Sequence, residues 1–80
     1  MFDALVPLEL LQNGEWGQVE EVAGAPGWVD RMAELGVRSG SRLQVLRRGI
    51  PCLLRIGASR FSVRGDSGLQ ILVRPLRLAD

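Results

Sequence analysis

Apolar and polar positions alternate through three consecutive stretches in the second half of the chain. In "SRLQVLRR", Leu43 and Val45 share one face, with Arg42, Gln44 and Leu46 opposite. In "CLLRI", Leu54 pairs with Ile56. In "SRFSVRG", Phe61 pairs with Val63, and Arg60, Ser62 and Arg64 point the other way. A period of two is the signature of a half-buried strand. The connections "GIP" and "GAS" are short enough for hairpins. "GDSG" reads as a turn or one helical turn, and "LQILV" as a closing strand that ends before Pro75. Earlier, "WGQVEEV" alternates less cleanly, because Val19 and Val22 fall on opposite faces. A bulge near Gly17 would account for that.

Between these strands the period changes. From the turn "GAPG", Trp28, Met32 and Leu35 recur at i, i+4 and i+7, and Val29 and Ala33 widen the stripe. No good N-cap precedes them, although Pro26 suits a first helical turn. Gly36 follows as the expected left-handed C-cap, with positive φ. The pattern predicts a short amphipathic helix over residues 27–35, and "VRSGS" then leads the chain away. At the start, "PLELLQ" is compatible with a short helix or an irregular apolar lead-in, and "NGE" marks a turn. The order is lead-in, strand, helix, three-strand meander, strand. It predicts a mainly β fold: a small SH3-like antiparallel barrel with one short inserted helix. The expected core is Val19, Met32, Leu35, Leu43, Val45, Leu54, Ile56, Phe61, Val63, Ile71 and Val73.

Composition narrows the picture. Eighty residues are expected to form one domain, spanning 1–80. The single cysteine, Cys52, has no internal disulfide partner, which suits a reducing compartment. The opening "MFDALVPLELLQNGEW" carries Asp3 and Glu9 where a signal peptide would be uncharged, so a cytoplasmic protein is expected. Net charge is only +1, yet the charges are segregated. Seven acids and one arginine lie in residues 1–37, nine arginines and two acids in 38–80. The plain expectation is that the two halves touch and neutralise each other. Every basic residue is arginine, the side chain suited to planar, bidentate recognition of carboxylate or phosphate.

Candidate chemistry is sparse. With no histidine, a Ser-His-Asp hydrolase is excluded and Cys52 has no imidazole base. Cys52, beside Pro51 in a hairpin, reads as an inert small side chain. No phosphate-binding glycine motif occurs. Asp30 and Glu34, at i and i+4, read as a solvated helix face beside Arg31. Without histidine or a second cysteine, selective iron binding is not expected, nor is any resident metal or other cofactor. The chain is therefore expected to be no enzyme, and to act by recognition. The residues singled out for partner contact are Arg47, Arg48, Arg60 and Arg64. Arg47 and Arg48 should project to opposite faces at a strand end, where their charge also deters edge pairing.

Residues 8–75 resemble the FeoA family of small proteins of bacterial ferrous iron uptake. "LELLQNGEWGQV" is similar to the family's opening, through Leu8, Leu11, Gly14, Glu15, Gly17 and Val19. "RMAELGVRSGSRLQVLRR" is similar to its middle, a helix ending in Leu35 and Gly36, then Val37, a turn to Gly40, and a strand with Leu43 and Val45. "RFSVRGDSGLQILV" is similar to its close. "RSG" stands where Pro-Gly is common, and "RGDSG" where an Arg-x-x-Glu-Ala turn is common. The resemblance implies an SH3-like barrel. It also implies a non-enzymatic accessory role in ferrous iron uptake, binding and modulating the FeoB membrane transporter from the cytoplasm. The alternative is an SH3-like nucleic-acid-binding or regulatory module using the arginine-rich second half. Against it, Phe61 is the one aromatic after Trp28, and base stacking needs such platforms.

Overall fold

The computed structural model describes residues 4–64 and 69–76. Its elements run β1 (Val6–Pro7), a single 3-10 turn (Leu8–Leu10), β2 (Trp16–Ala23), α1 (Pro26–Glu34), β3 (Arg42–Arg47), β4 (Cys52–Ile56), β5 (Ser59–Val63) and β6 (Gln70–Leu76). The strands form one antiparallel sheet in the order β1-β6-β2-β3-β4-β5. This is the expected mainly β architecture with one helix. The barrel, however, is not closed: among the described residues no pairing joins β5 to β1, and a seam remains between them. The "GDSG" turn lies outside the described residues.

Alternation along the strands places the core. Val19, Leu43, Val45, Leu54, Val63, Ile71 and Val73 all point inward and are buried. Their cross-strand partners confirm the shared face, since Val19 opposes Val73 and Val45 opposes Leu54. The irregularity in β2 falls at Glu20, between Val19↔Val73 and Glu21↔Leu72, and not near Gly17. One extra residue there resets the parity, so Val22 also packs against the core. Gly17 itself pairs regularly with Leu43 and with Pro75. Its reason is space. A Cβ at Gly17 would stand 3.0 Å from Leu11 Cδ1 and 3.2 Å from Val73 Cβ. The missing side chain lets Leu11, 2% exposed, drop onto the sheet from the lead-in.

β6 also runs further than expected, through Pro75 to Leu76. β1 reaches β6 only at Leu72 and Val73. Past that point, among the described residues, no strand pairs with β6 on that side, where a residue lacking an N–H is tolerated.

The helix ends as a Schellman motif. Gly36 has φ +98°, its N–H donates to the Ala33 carbonyl at 3.0 Å, and the Val37 N–H donates to the Met32 carbonyl at 2.8 Å. Met32 and Val37 are both buried, the apolar contact that accompanies this cap. Leu35, expected in the core, is 43% exposed, because it occupies the C-cap and the turn passes the inward position to Val37. Ile56 and Phe61 are half-buried against the core rather than within it. Leu8, Leu11, Val37, Cys52 and Leu69 complete the core beyond the expected set. Among the described residues no helix is long and apolar enough to cross a membrane.

Candidate interaction surface

The outward face of β3, β4 and β5 is built from the positions that alternation leaves over. One cross-strand row is Gln44, Arg55 and Arg60, and the next is Arg47, Leu53 and Ser62. A register shift at Leu46, between Val45↔Leu54 and Arg47↔Leu53, brings Arg47 into this second row. Arg42 shares the same parity and opposes Gln18 of β2. Arg42, Arg47, Arg55 and Arg60 thus leave one face of the sheet together. Arg64, exposed, follows β5 directly. Arg55 and Arg60 stand directly opposite each other, an arrangement that costs stability.

None of the guanidinium groups of Arg42, Arg47, Arg55 and Arg60 is engaged by a carboxylate or a hydrogen bond among the described residues. The ion pair that the described residues form is Arg74 Nη2 to Glu20 Oε2, at 2.8 Å, between β6 and β2. That pair joins the two charged halves of the sequence, as expected, and among the described residues Arg42, Arg47, Arg55 and Arg60 take no part in such neutralisation. Asp30 and Glu34 lie exposed on α1 and Glu21 on β2, while the arginines face outward on the three far strands.

Arg48 behaves differently from its neighbour. It lies past the end of β3 and turns back to the lead-in. Its backbone N–H donates to Asn13 Oδ1 at 2.7 Å, Nη1 donates to Gln12 Oε1 at 3.3 Å, and Nη2 donates to the Glu9 carbonyl at 3.4 Å. The lead-in turn is closed from its own side too, where the Gln12 N–H donates to Glu15 Oε1 at 2.8 Å. Arg48 thus pins the segment that carries Leu8 and Leu11 into the core.

Beside Arg48 opens an apolar pocket of about 190 Å³ at one end of the seam. Leu8, Ile50, Cys52, Val63, Leu69 and Ile71 line it, with Glu9 at its edge. Ile50, in the β3–β4 turn, is 70% exposed at the mouth. A groove continues from it past Leu11, Asn13 and Arg48. The Cys52 thiol is buried in the wall. Burial pushes its pKa above the ordinary thiol value, the Glu9 carboxylate adds to the rise, and Arg48 opposes it. A thiol held protonated in this way is a weak nucleophile. Among the described residues, no group of three or more His, Cys, Asp or Glu side chains is placed to hold a metal ion.

Of the four arginines singled out from the sequence, Arg47 and Arg60 share the outward face, Arg64 follows at the strand end, and Arg48 is engaged within the chain. Arg42 and Arg55 belong to the same face and were passed over. Arg42 shares parity with Gln44 in "SRLQVLRR", and Arg55 lies opposite Leu54 and Ile56 in "CLLRI", but only the strand register sets the two beside Arg47 and Arg60.

Six antiparallel strands, one helix after the second strand and a leucine-bearing lead-in define a small SH3-like β domain. The model of the FeoA domain matches residues 6–75, and the chain belongs to the FeoA family. Solved structures agree. The crystal structure of an iron uptake regulatory protein (FeoA) superimposes with a TM-score of 0.80 at 28% identity, covering 91% of this chain and 100% of that one. The solution structure of the FeoA protein from Chlorobium tepidum superimposes with a TM-score of 0.83 at 27% identity, covering 94% of this chain and 74% of that one. No curated protein sequence matches. Family membership associates the chain with ferrous iron transport.

Proposed function

We propose that this chain is a non-enzymatic accessory protein of ferrous iron uptake that binds a FeoB-like transporter at the cytoplasmic side and modulates it. It acts as a single FeoA-like unit. The observation that carries this reading is the family match across nearly the whole described fold. The surface supports it: Arg42, Arg47, Arg55 and Arg60, without a carboxylate partner among the described residues, share a sheet face that ends at an apolar seam, and interfaces between proteins combine apolar centres with polar, arginine-bearing rims. Arg47, Arg60 and Arg64, joined by Arg42 and Arg55, are the contact candidates. Arg48 would contribute by shaping the groove.

The test is capture of full-length FeoB from detergent extract by the immobilised chain, with and without GTP. Saturable capture that survives physiological salt is expected, and its absence in both nucleotide states overturns the reading. One observation favours a second reading. Four guanidinium groups on one sheet face, without counter-charges among the described residues, also suit a phosphate backbone. A nucleic-acid binder using about five arginines would lose log K against log salt with a slope of roughly −3.5 to −4.5. A protein contact depends on salt mainly through its on-rate.

A further inference from the structure

We propose that the open seam beside β5 is a docking site for an extended segment of a protein partner, in which acidic and apolar residues alternate. The segment adds a strand to β5 and lodges an apolar side chain in the pocket beside Val63. The inference rests on the accessory-protein reading and specifies where on this chain the partner lands.

Three features of the seam fix the occupant. First, β5 is the last strand of the sheet, and among the described residues its outer edge has no neighbour. An unpaired edge offers a row of N–H and C=O groups, and an extended peptide satisfies them by strand addition.

Second, the two faces of β5 differ. Phe61 and Val63 face inward, half-buried and buried, while Arg60 and Ser62 face outward. A strand added beside β5 alternates in the same way. Its inward residues meet Phe61 and Val63, and the one nearest Val63 reaches the pocket. An apolar cavity of about 150 Å³ holds a benzene molecule. The pocket here, about 190 Å³, is therefore roomy enough for a leucine or phenylalanine side chain. The outward residues of the added strand lie beside Arg60, with Arg55 one strand further in. Among the described residues, neither guanidinium has a carboxylate of its own. Acidic residues belong at those outward positions. They do not belong over the pocket, where Glu9 already stands.

Third, charge separates this occupant from a second copy of the chain. Two copies paired along β5 would set one arginine-bearing edge against another, next to the Arg55–Arg60 pair that already places like charges face to face. An acidic segment relieves this repulsion, and a like strand doubles it.

The experiment uses the isotope-labelled chain and a synthetic octapeptide that alternates Asp or Glu with Val and Leu. Backbone amide shifts are expected to move along β5 and at Leu8, Cys52 and Leu69. Replacing the peptide's acids by lysine, or N-methylating alternate peptide amides, should each weaken binding at least tenfold. On the protein, Arg55→Glu with Arg60→Glu keeps the like-charge pair and reverses only its sign, so the fold is retained, as thermal unfolding will report. This variant should also bind at least tenfold more weakly. Ile50→Asp, at the exposed mouth, should do the same without touching the arginines. The proposal is overturned if the peptide does not bind, if the lysine peptide binds as well, or if the shifts fall on α1. It is also overturned if random DNA displaces the peptide, or if sedimentation shows a dimer that Ile50→Asp dissolves. Capture of FeoB separates the two levels. Equal capture by the native chain and the reversed variant removes the seam and keeps FeoB as partner. Peptide binding with no FeoB capture keeps the seam and removes FeoB.

Discussion

Strand β3 and helix α1 are both amphipathic, and they fare differently. Leu43 and Val45 of β3 are wholly buried. On α1, Met32 is buried, while Trp28 on the same stripe stays 43% exposed. The difference is geometric. β3 lies between β2 and β4, so an inward side chain there meets neighbours from both sides and from the opposite wall. A helix of nine residues touches a small curled sheet along a line, and the outer positions of its stripe remain at the rim. Amphipathic pattern therefore reports which way a residue points, and packing layers decide how deep it goes.

Mutation can break this comparison. The largest effect is expected from Leu43→Ala, which should cost about 2–5 kcal/mol by denaturant unfolding. A loss below about 0.5 kcal/mol would mean that β3 is no better covered than α1. Met32→Ala should cost about 2–3 kcal/mol, at the lower end of that range, because one wall of its site is a helix end. Trp28→Ala should stay near or below roughly 1 kcal/mol, as befits a half-exposed side chain outside the core. Similar costs for Met32→Ala and Trp28→Ala would show that the whole stripe is packed.

The adjacent arginines sharpen the same point on a polar scale. Arg48→Glu removes hydrogen bonds that hold the lead-in and should cost about 1 kcal/mol. Arg47→Glu, reversing an exposed charge that no described carboxylate pairs, should fall within about 0.5 kcal/mol of the native chain. Equal effects would deny Arg48 its bracing role.

The smallest effect is expected at alkaline pH. The folded Cys52 thiol holds its proton more tightly than the unfolded one, chiefly through burial. In the unfolded chain a thiol ionises near roughly pH 8.5. Stability from this group is fully present below that value and is lost as pH rises from there through the folded pKa. The chain has no histidine, lysine or tyrosine, so no other side chain titrates in this window. Cys52→Ala should flatten the alkaline slope, and an unchanged slope would mean that Cys52 does not cause it.

Much of the sheet was legible in the sequence because alternation is a local property. "SRLQVLRR", "CLLRI" and "SRFSVRG" state their inward faces without reference to the rest of the chain. The helix end was legible for a similar reason, since only Gly36 supplies a left-handed residue there without strain. The lead-in was not. Leu8 and Leu11 are buried by strands far away in sequence, and Gly17 exists to admit Leu11. That steric need leaves no periodic trace, so the glycine invited a bulge that the structure places at Glu20. Val37 was hidden because its burial belongs to the cap turn and not to the helical stripe. The candidate surface was half legible. Arg47 and Arg60 were singled out for their charge, whereas Arg42 and Arg55 join them only once the register is known. The pocket, lined from four separate segments, could not be read from any one of them.

The sheet order also bears on how the chain folds. β3, β4 and β5 are consecutive hairpins, joined by turns of a few residues, and they can zip together early at little loop-closure cost. β2 finds its main partner, β6, only across most of the chain. Non-local pairing of that kind slows folding and is committed late. A core truncation in the meander, such as Leu54→Ala, should therefore slow refolding. The equivalent change in β6, Val73→Ala, should mainly hasten unfolding, a contrast that stopped-flow kinetics will measure. On this order of assembly the strand made last holds both ends of the chain's described fold together. Its release would return β1 and the lead-in to solvent while the arginine-bearing hairpins stayed formed.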